Sequence, residues 1–421
     1  MLLGAVADDF TGATDLCSML VRGGMRTVQL LGAPAPDDPA PDADAVVVAL
    51  KSRTAPTRQA VGESLAALDW LRAAGARQFF FKYCSTFDST DDGNIGPVAD
   101  AMLDALGAGF ALACPAFPTN NRTVYLGHLF AGGALLSESG MENHPLTPMT
   151  DPNLVRVLSR QTDGTVGLVA FPTVEKGAAA IRQAMTALKE QGRRYAIVDA
   201  VTDAHLVAIG EAAAGHALVT GGSGVAMGLP ANFRRAGLLA EGGDPGVLPP
   251  GAGHAAVLSG SCSRATLMQL GRARDHAPVF ELDPLATRDP GALAAGALDW
   301  AAGKLGVQPL VIAASAPPDR VAAIQSALGR DAAGALVEEA MARIAEGLVA
   351  RGVRRLVVAG GETSGAVVGR LGARALRIGQ EIDPGVPWTY ADTPAGGLHL
   401  ALKSGNFGAP DFFLRAFEVL A

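Results

Sequence analysis

The sequence predicts an α/β protein of two domains, each a mostly parallel sheet flanked by helices. Three observations carry this. Short apolar runs recur, each ending in a polar loop that opens an amphipathic helix, the alternation of a parallel sheet covered on both faces. The 421 residues exceed what one core covers, and 49% are hydrophobic against 18% charged, enough for two cores. The alternation breaks once, in the Gly- and Pro-dense stretch Leu238 to Gly253, which lacks periodicity and reads as a linker (238–253) between domains 1–237 and 254–421.

The first run, Leu2 to Ala7, reads as a buried strand. It empties into Asp8-Asp9-Phe10-Thr11-Gly12, ahead of a helix with Ala13, Leu16, Cys17, Leu20 and Val21 at helical spacing. Open α/β sheets bind ligands outside the carboxyl ends of their strands, so both carboxylates stand where polar chemistry is expected. Asp9 or Thr11 can simply cap the helix; one acid satisfies that need, and there are two. Strands follow at 27–31 and 45–50. The second delivers Arg53 to the same edge, as a surface arginine or as a bidentate carboxylate clamp. After a helix over 62–74, the strand 78–83 carries Lys82 and opens a loop, Cys84 to Pro97, that holds Ser85, Asp88, Ser89, Thr90 and Asn94. Such a loop caps and turns, or binds a polyhydroxylated ligand; so many polar groups after so apolar a strand favour binding. A helix over 98–106 and a strand at 110–115 precede a polar loop containing Arg122. Residues 125–151, rich in Gly, Pro and His, are expected to be irregular: a lid, a binding loop or a dimer contact. His128 and His144 read as structural. Strands at 166–171, 195–200 and 217–220 then alternate with helices over 178–191 and 203–213. The last strand runs into Gly221-Gly222-Ser223-Gly224, which misses the dinucleotide fingerprint by one residue and reads as a packing turn or one wall of the crevice.

Beyond the linker, the strand 255–258 ends in Ser259-Gly260-Ser261-Cys262-Ser263 before a helix over 265–274. Backbone N–H groups, hydroxyls and the positive helix end suit phosphate oxygens there. Strands at 279–282 and 310–314 and helices over 292–303, 319–328 and 333–351 follow. A strand from Arg355 to Ala359 empties into Gly360-Gly361-Glu362-Thr363-Ser364. Glycines let a phosphate approach the backbone, hydroxyls bind it, and the acid can hold a metal ion; a capping box at a tight helix entry is the alternative. Strands at 376–382 and 398–403 flank a Pro-rich stretch, 384–388. The loop Lys403 to Gly408, with Gly405 and Asn406, reads as a second wall for a nucleotide before a closing helix from Asp411.

A net charge of -7 and only 5% aromatic residues argue against a nucleic-acid or anionic-membrane surface. Cys17, Cys84, Cys114 and Cys262 are scattered without a CxxC, which suggests neither zinc nor a disulfide framework. No signal-like segment opens the chain and no run reaches membrane-spanning length, so a cytoplasmic protein is expected. Acids, Arg, Lys and hydroxyls at the strand ends of one domain, and Gly, Ser, Thr and Glu at those of the other, suit group transfer between a polar small molecule and a phosphate-bearing cosubstrate. The chain has no GxxxxGK[ST], GxSxG or HExxH motif.

Val6 to Ala13, Asp88-Ser89-Thr90 followed by Gly93-Asn94-Ile95-Gly96, and Gly360 to Ser364 ahead of Glu381 to Pro387 stand in an order and at separations that resemble the four-carbon acid sugar kinase family over essentially the whole chain. Within it, Lys82 to Thr90, Cys114 to Pro118 and Arg122 to Leu129 are most similar to kinases of 3-oxo-tetronates. Threonate and erythronate kinases tend to carry Leu-Arg where this chain has Asp91-Asp92. The resemblance implies an N-terminal domain for the sugar acid, a C-terminal domain for ATP with Mg²⁺, and an active site in the cleft between them. It implies transfer of the γ-phosphate to the C4 hydroxyl of a four-carbon acid, a 3-oxo-tetronate ahead of D-threonate or D-erythronate. Nucleotide contacts are implied at Ser259, Gly360, Gly361, Glu362, Thr363 and Gly405; Ser261, Ser364 and Asn406 complete the expected set. Sugar-acid contacts are implied at Asp8, Asp9, Arg53 and the loop from Lys82 to Asn94, to which Thr11 and Arg122 are added from their places at strand ends. The catalytic candidates are Asp9 and Asp8; either can be the general base, and Asp9 is favoured because it lies nearer the helix start and the crevice. Metal ligands stay unassigned, and the expected partners are the sugar acid and ATP, with a homodimer allowed. Two readings compete: a nucleotide-gated sugar-acid sensor, which has no use for a carboxylate pair, and an NAD-dependent dehydrogenase, which lacks the GxGxxG and its downstream acid.

Overall fold

The structure, a computed structural model, describes residues 1–420. The chain divides into two compact units, Met1–Gly246 and Val247–Ala421.

In the first unit the strands are β1 (Leu3–Ala7), β2 (Thr27–Leu31), β3 (Ala45–Ala49), β4 (Gln78–Lys82), β5 (Ala111–Cys114), β6 (Arg122–Tyr125), β7 (His128–Ala131), β8 (Ala134–Leu135), β9 (Val166–Val169), β10 (Tyr195–Val198) and β11 (Leu218–Gly221). The helices are α1 (Phe10–Arg22), α2 (Thr57–Ala73), α3 (Ile95–Ala105), α4 (Leu154–Gln161), α5 (Phe171–Val174), α6 (Ala178–Glu190), α7 (Asp203–Ala212) and α8 (Leu229–Arg235). The main sheet runs β2-β3-β1-β4-β11-β5-β10-β9 and is parallel throughout. Every residue of β1, β3 and β4 is buried, because helices cover both faces; that is why these strands are continuous apolar runs rather than alternating ones. β1 lies between β3 and β4. The loops after these three strands therefore leave the sheet side by side, stitched by Asp8 N–H to Lys82 O (3.0 Å) and Ser52 N–H to Asp8 O (3.0 Å).

Residues 125–151 are more ordered than expected. β6, β7 and β8 form an antiparallel meander, followed by two short 3₁₀ turns at Leu136–Glu138 and Met141–Asn143. Both hairpins turn on two residues of positive φ, Leu126-Gly127 (47° and 74°) and Gly132-Gly133 (64° and 89°), the backbone that a tight hairpin requires. α4 is likewise an element that the sequence reading leaves out.

The second unit contains β12 (His254–Ser259), β13 (Val279–Glu281), β14 (Leu310–Ala313), β15 (Val353–Ala359), β16 (Ala375–Asp383), β17 (Val386–Thr393) and β18 (Gly396–Lys403). Its helices are α9 (Arg264–Arg274), α10 (Pro290–Ala302), α11 (Pro318–Leu328), α12 (Arg330–Ala350), α13 (Gly361–Arg370) and α14 (Phe412–Val419). The order is β13-β14-β12-β15-β18-β17-β16, parallel as far as β18 and antiparallel beyond it. The Pro-rich stretch 384–388 is thus mostly strand: a turn through Gly385 (φ 77°) closes the β16–β17 hairpin. The core packs Val257, Val357, Leu270, Trp388, Phe412 and Phe413, and the Trp388 indole N–H donates to Ala416 O (2.7 Å), so its one polar group is satisfied. Among the described residues no helix is long and apolar enough to cross a membrane.

Candidate active site

The first unit gathers charge at the ends of β1, β3 and β4. Arg53 donates from Nε and Nη2 to the two oxygens of Asp8, both at 2.9 Å, in a bidentate fork. The same guanidinium lies 2.9 Å from Asp9 Oδ1 and 3.6 Å from Asp88 Oδ2, so three carboxylates surround one cation. Asp8 is 5% exposed; burial pushes its carboxyl upward and Arg53 works against that shift. Asp9 also caps α1, its Oδ1 accepting from Gly12 N–H at 3.0 Å. The cap and the charge cluster are one feature, so the two readings of Asp9 are not exclusive. Lys82 is buried, and its Nζ donates to Tyr83 O at 2.9 Å. A Cβ at residue 12 would lie 2.3 Å from Asp9 Oδ1 and 2.7 Å from Lys82 Nζ, so a glycine there lets the acid and the ammonium share one spot over the helix start.

The loop after β4 is held in an unusual shape. Phe87 and Asp88 both have positive φ (66° and 48°), a conformation costly for residues with a Cβ, and Asp88 Oδ1 is buried without a hydrogen-bond partner. Ser89 and Asn94 face inward to the protein. Ser89 Oγ donates to Gln161 Oε1 (3.1 Å), and Gln161 in turn donates to Thr90 O (2.6 Å). Asn94 donates to Ser52 O (2.9 Å) and Ala55 O (2.8 Å), tying down the loop that carries Arg53. Gly96 is needed because a Cβ would meet Gln161 O at 2.4 Å. Gln161, at the end of α4, is the organising residue that sequence reasoning misses. Arg122 donates to Asn120 O, while its buried Nε has no hydrogen-bond partner. Thr11 is exposed in the first turn of α1, and Ser85 is half-buried. Behind the cluster, Asp15 accepts from Ser223 of the Gly-rich turn; burial raises its carboxyl and Lys82 opposes the rise.

The second unit brings three loops together after the adjacent parallel strands β12, β15 and β18. Ser259 is fully buried, its Oγ 2.8 Å from Ser315 Oγ. Ser261 Oγ accepts from Ser263 N–H (3.2 Å), and Ser263 caps α9. Gly360, the cap of α13, has φ 128°, a conformation reserved for glycine. A Cβ on Gly260 would lie 2.1 Å from Thr363 Oγ1, and one on Gly405 would lie 2.5 Å from Ser261 Oγ. Glycines thus let hydroxyls from one loop press on the backbone of the next. Gly361, Glu362 and Asn406 are exposed, whereas Thr363 and Ser364 are buried. Lys403 is 0% exposed and donates only to oxygens of Thr266 and of its own loop.

Beside these loops lies a cleft of about 510 Å³ within the second unit, entered past Gly260, Glu362 and Thr363. Its walls include Ala314 just after β14, Val321 and Ile324 of α11 and Val337 of α12, with Gln325, Arg330, Asp331 and Glu338 as polar lining. A cleft of mixed lining, apolar on β-sheet and helix residues and charged at Arg330, Asp331, Glu338 and Glu362, has room for a flat ring with polar substituents. The helix residues of this wall carry no motif. They read as ordinary core positions, so the sequence reading does not find them.

Residues 3–229 match the model of a sugar-binding N-terminal domain, and residues 256–413 that of a nucleotide-binding C-terminal domain. The chain is 59% identical to a 3-oxo-tetronate kinase of Burkholderia multivorans, covering 100% of this chain and 97% of that protein. It is 58% identical to a protein of the same name from Cupriavidus necator at the same coverage. Two crystal structures share the fold over nearly full length at 44% identity. A Salmonella typhimurium LT2 protein has TM-score 0.90 and covers 98% of each chain, and a Haemophilus influenzae protein has TM-score 0.87 and covers 99% of this chain and 100% of its own. The ordered motifs, the two domain matches and these full-length relatives agree: the chain belongs to the four-carbon acid sugar kinase family.

Proposed function

We propose that this protein is an ATP-dependent kinase that phosphorylates the C4 hydroxyl of a 3-oxo-tetronate. The observation that carries the reading is the split of chemistry between the units. The unit matching a sugar-binding model gathers Asp8, Asp9, Asp88, Arg53 and Lys82, while the unit matching a nucleotide-binding model gathers glycines, hydroxyls and a cleft of adenosine size. The full-length relatives named 3-oxo-tetronate kinase supply the substrate class.

In this reading Arg53, with Lys82 and Arg122, receives the carboxylate and oxygens of the sugar acid. Asp8 holds Arg53 in place and Asp9 faces the acceptor hydroxyl. The C4 oxygen attacks the γ-phosphorus, its proton passes to Asp9, and the bond to the β–γ bridging oxygen breaks to release ADP. Ser261, Gly360, Gly361, Thr363, Ser364, Gly405 and Asn406 cradle the phosphates, with Ser259 fixing the turn beneath them. Among the described residues no three His, Cys, Asp or Glu side chains are grouped to hold a metal ion. Mg²⁺ would arrive with the nucleotide and neutralise phosphate charge, and Glu362, exposed in the first turn of α13, would hold it. The cytoplasm, with its supply of ATP, is the place for such a reaction.

Coupled ADP release with Mg-ATP, measured against 3-oxo-tetronates, threonates and erythronates of both hands, tests the reading. Turnover with an oxo acid alone is expected. Turnover only with a threonate or erythronate would keep the kinase and overturn its substrate. Silence across the panel would leave a sensor.

A further inference from the structure

We propose that Lys403 is a positioning residue, a tethered monovalent cation that turns the carbonyls of the loop after β18 inward so that its N–H groups face the nucleotide phosphates. The proposal rests on the nucleotide reading of this loop. Lys403 ends β18, and its carbonyl accepts from Gly360 N–H at 2.8 Å, which couples it directly to the cap of α13. Its Nζ donates to Thr266 Oγ1 (3.0 Å), Ser404 O (3.1 Å), Gly405 O (3.0 Å) and Phe407 O (3.1 Å). None of these acceptors is a carboxylate. A buried ammonium normally takes an opposite charge; here it is solvated by neutral oxygens, as carbonyl rings solvate K⁺ in a selectivity filter.

The neighbouring amide does the same. Gln269 Nε2 donates to Phe407 O (3.0 Å), Gly408 O (2.9 Å) and Ala409 O (3.0 Å). Gly405 O takes two more bonds, from Ser263 Oγ (2.5 Å) and Thr266 Oγ1 (2.9 Å). Five carbonyls of one short loop are thus drawn to one side. A trans peptide is planar, with C=O and the following N–H antiparallel, and the described chain has no cis bond. Turning the carbonyls of Ser404, Gly405 and Phe407 inward turns the N–H groups of Gly405, Asn406 and Gly408 outward. Successive outward N–H groups make an anion-binding concavity. One protein anion already uses the rim, Asp383 accepting from Ala409 N–H at 2.7 Å. The Asp383 carboxylate pairs with Arg415, and no carboxylate among the described residues bonds the Lys403 ammonium behind the loop.

The test uses the full chain. Equilibrium binding of a non-hydrolysable ATP analogue with Mg²⁺ is compared between wild type and Lys403→Met, together with the KM for ATP and for the sugar acid. Lys403→Met is expected to weaken nucleotide binding by about 10- to 100-fold, the range for lost charge-assisted hydrogen bonds, with the sugar-acid KM within about twofold. In Lys403→Ala, which empties the place of the ammonium, added K⁺ or ammonium is expected to restore part of the loss, which a merely structural lysine would not allow. Equal nucleotide binding by wild type and a folded Lys403→Met overturns the proposal alone, as does equal loss in both KM values without cation rescue. A wild type that binds no nucleotide overturns the kinase reading and the proposal with it. If Lys403→Met does not fold, Thr266→Val removes one cage oxygen at little cost in volume. Its expected effect is a rise of about 3- to 10-fold in the nucleotide Kd, on the scale of one or two hydrogen bonds, and an unchanged Kd overturns the proposal.

Discussion

Lys82 and Lys403 stand at matching places, each the buried last residue of a strand that feeds a loop cluster, and they are surrounded in opposite ways. Lys82 shares the start of α1 with Asp9, in a cluster where Arg53 answers Asp8, Asp9 and Asp88. Lys403 meets neutral oxygens alone. The first site balances charge with charge, so each member depends on a few strong partners. The second balances one charge with many dipoles, so its strength is spread over backbone and glycines. Substitutions of single partners should therefore act steeply in the first unit and mildly in the second, except where they break backbone geometry or remove the central charge of Lys403.

The largest effect is expected at Asp9. Asn caps helices as well as Asp, so Asp9→Asn keeps α1 and removes only the ionisable group. Turnover should fall by about 10²- to 10⁴-fold, the usual worth of a positioned base, with the KM for ATP little changed. Equal loss in both would make Asp9 a structural carboxylate. Coupled ADP release and nucleotide titration together read the difference.

Next comes Arg53. Removing one partner of a buried ion pair strands the other, so Arg53→Met should cost about 3–5 kcal/mol of stability, read by denaturant unfolding. The double variant Asp8→Asn with Arg53→Met should recover part of that, because the carboxylate that takes the bidentate fork is gone while Asp9 and Asp88 remain. If the double variant is as unstable as the single, the fork is not what holds this edge. In the second unit the matching small change, Ser315→Ala, removes two neutral hydrogen bonds to Ser259, one with its Oγ (2.8 Å) and one to its carbonyl (3.1 Å), and should cost about 2 kcal/mol.

Backbone geometry makes the exception. Gly360→Ala places a Cβ at φ 128°, 3.0 Å from Thr363 Oγ1 and 3.2 Å from Ser261 N. About 1–3 kcal/mol of strain is expected, with a raised KM for ATP and an unaltered KM for the sugar acid. An unchanged ATP KM would move the nucleotide away from this turn.

How much of this could be read beforehand differs by kind of feature. The parallel sheets were legible because burial on both faces leaves continuous apolar runs, as in Val46 to Ala49 and Leu356 to Ala359. The strand ends were legible because polar residues crowd where those runs stop. The β6–β8 meander was not read, although Gly132-Gly133 is a hairpin signal, because β8 spans only Ala134–Leu135. Ser89 and Asn94 show the deeper limit. By residue type and position they look like ligand contacts, and they line a small cavity with Asp8 and Arg53; their bonds run to Gln161 and to the 52–55 loop, partners that only the folded chain brings near. The Gly93-Asn94-Ile95-Gly96 pattern was visible; its cause at Gly96, the backbone of Gln161 pressed against the helix start, was not. The cleft wall on α11 and α12 left no trace, since Val321, Ile324 and Val337 serve a core and a cleft equally well.

The smallest expected effect is one of pH, and it separates the two lysine environments. Burial draws the Lys403 ammonium down to about 8, while an unfolded lysine keeps its proton to about 10.4. Between those values the unfolded chain binds a proton that the native chain has released, so this residue's contribution to stability rises with pH across that window. Nucleotide binding should move the other way. A neutral amine has two N–H groups for four oxygens instead of three, the 404–409 loop loosens, and the KM for ATP should climb by a few-fold, about the worth of one hydrogen bond, as pH passes 8. Lys403→Met should remove both trends, leaving any slope in the sugar-acid KM untouched. A KM for ATP that stays flat from pH 7 to 9.5 would mean that the cage is held by its shape, through Gln269 and the Ser263 cap, and that the charge on Lys403 adds nothing to it.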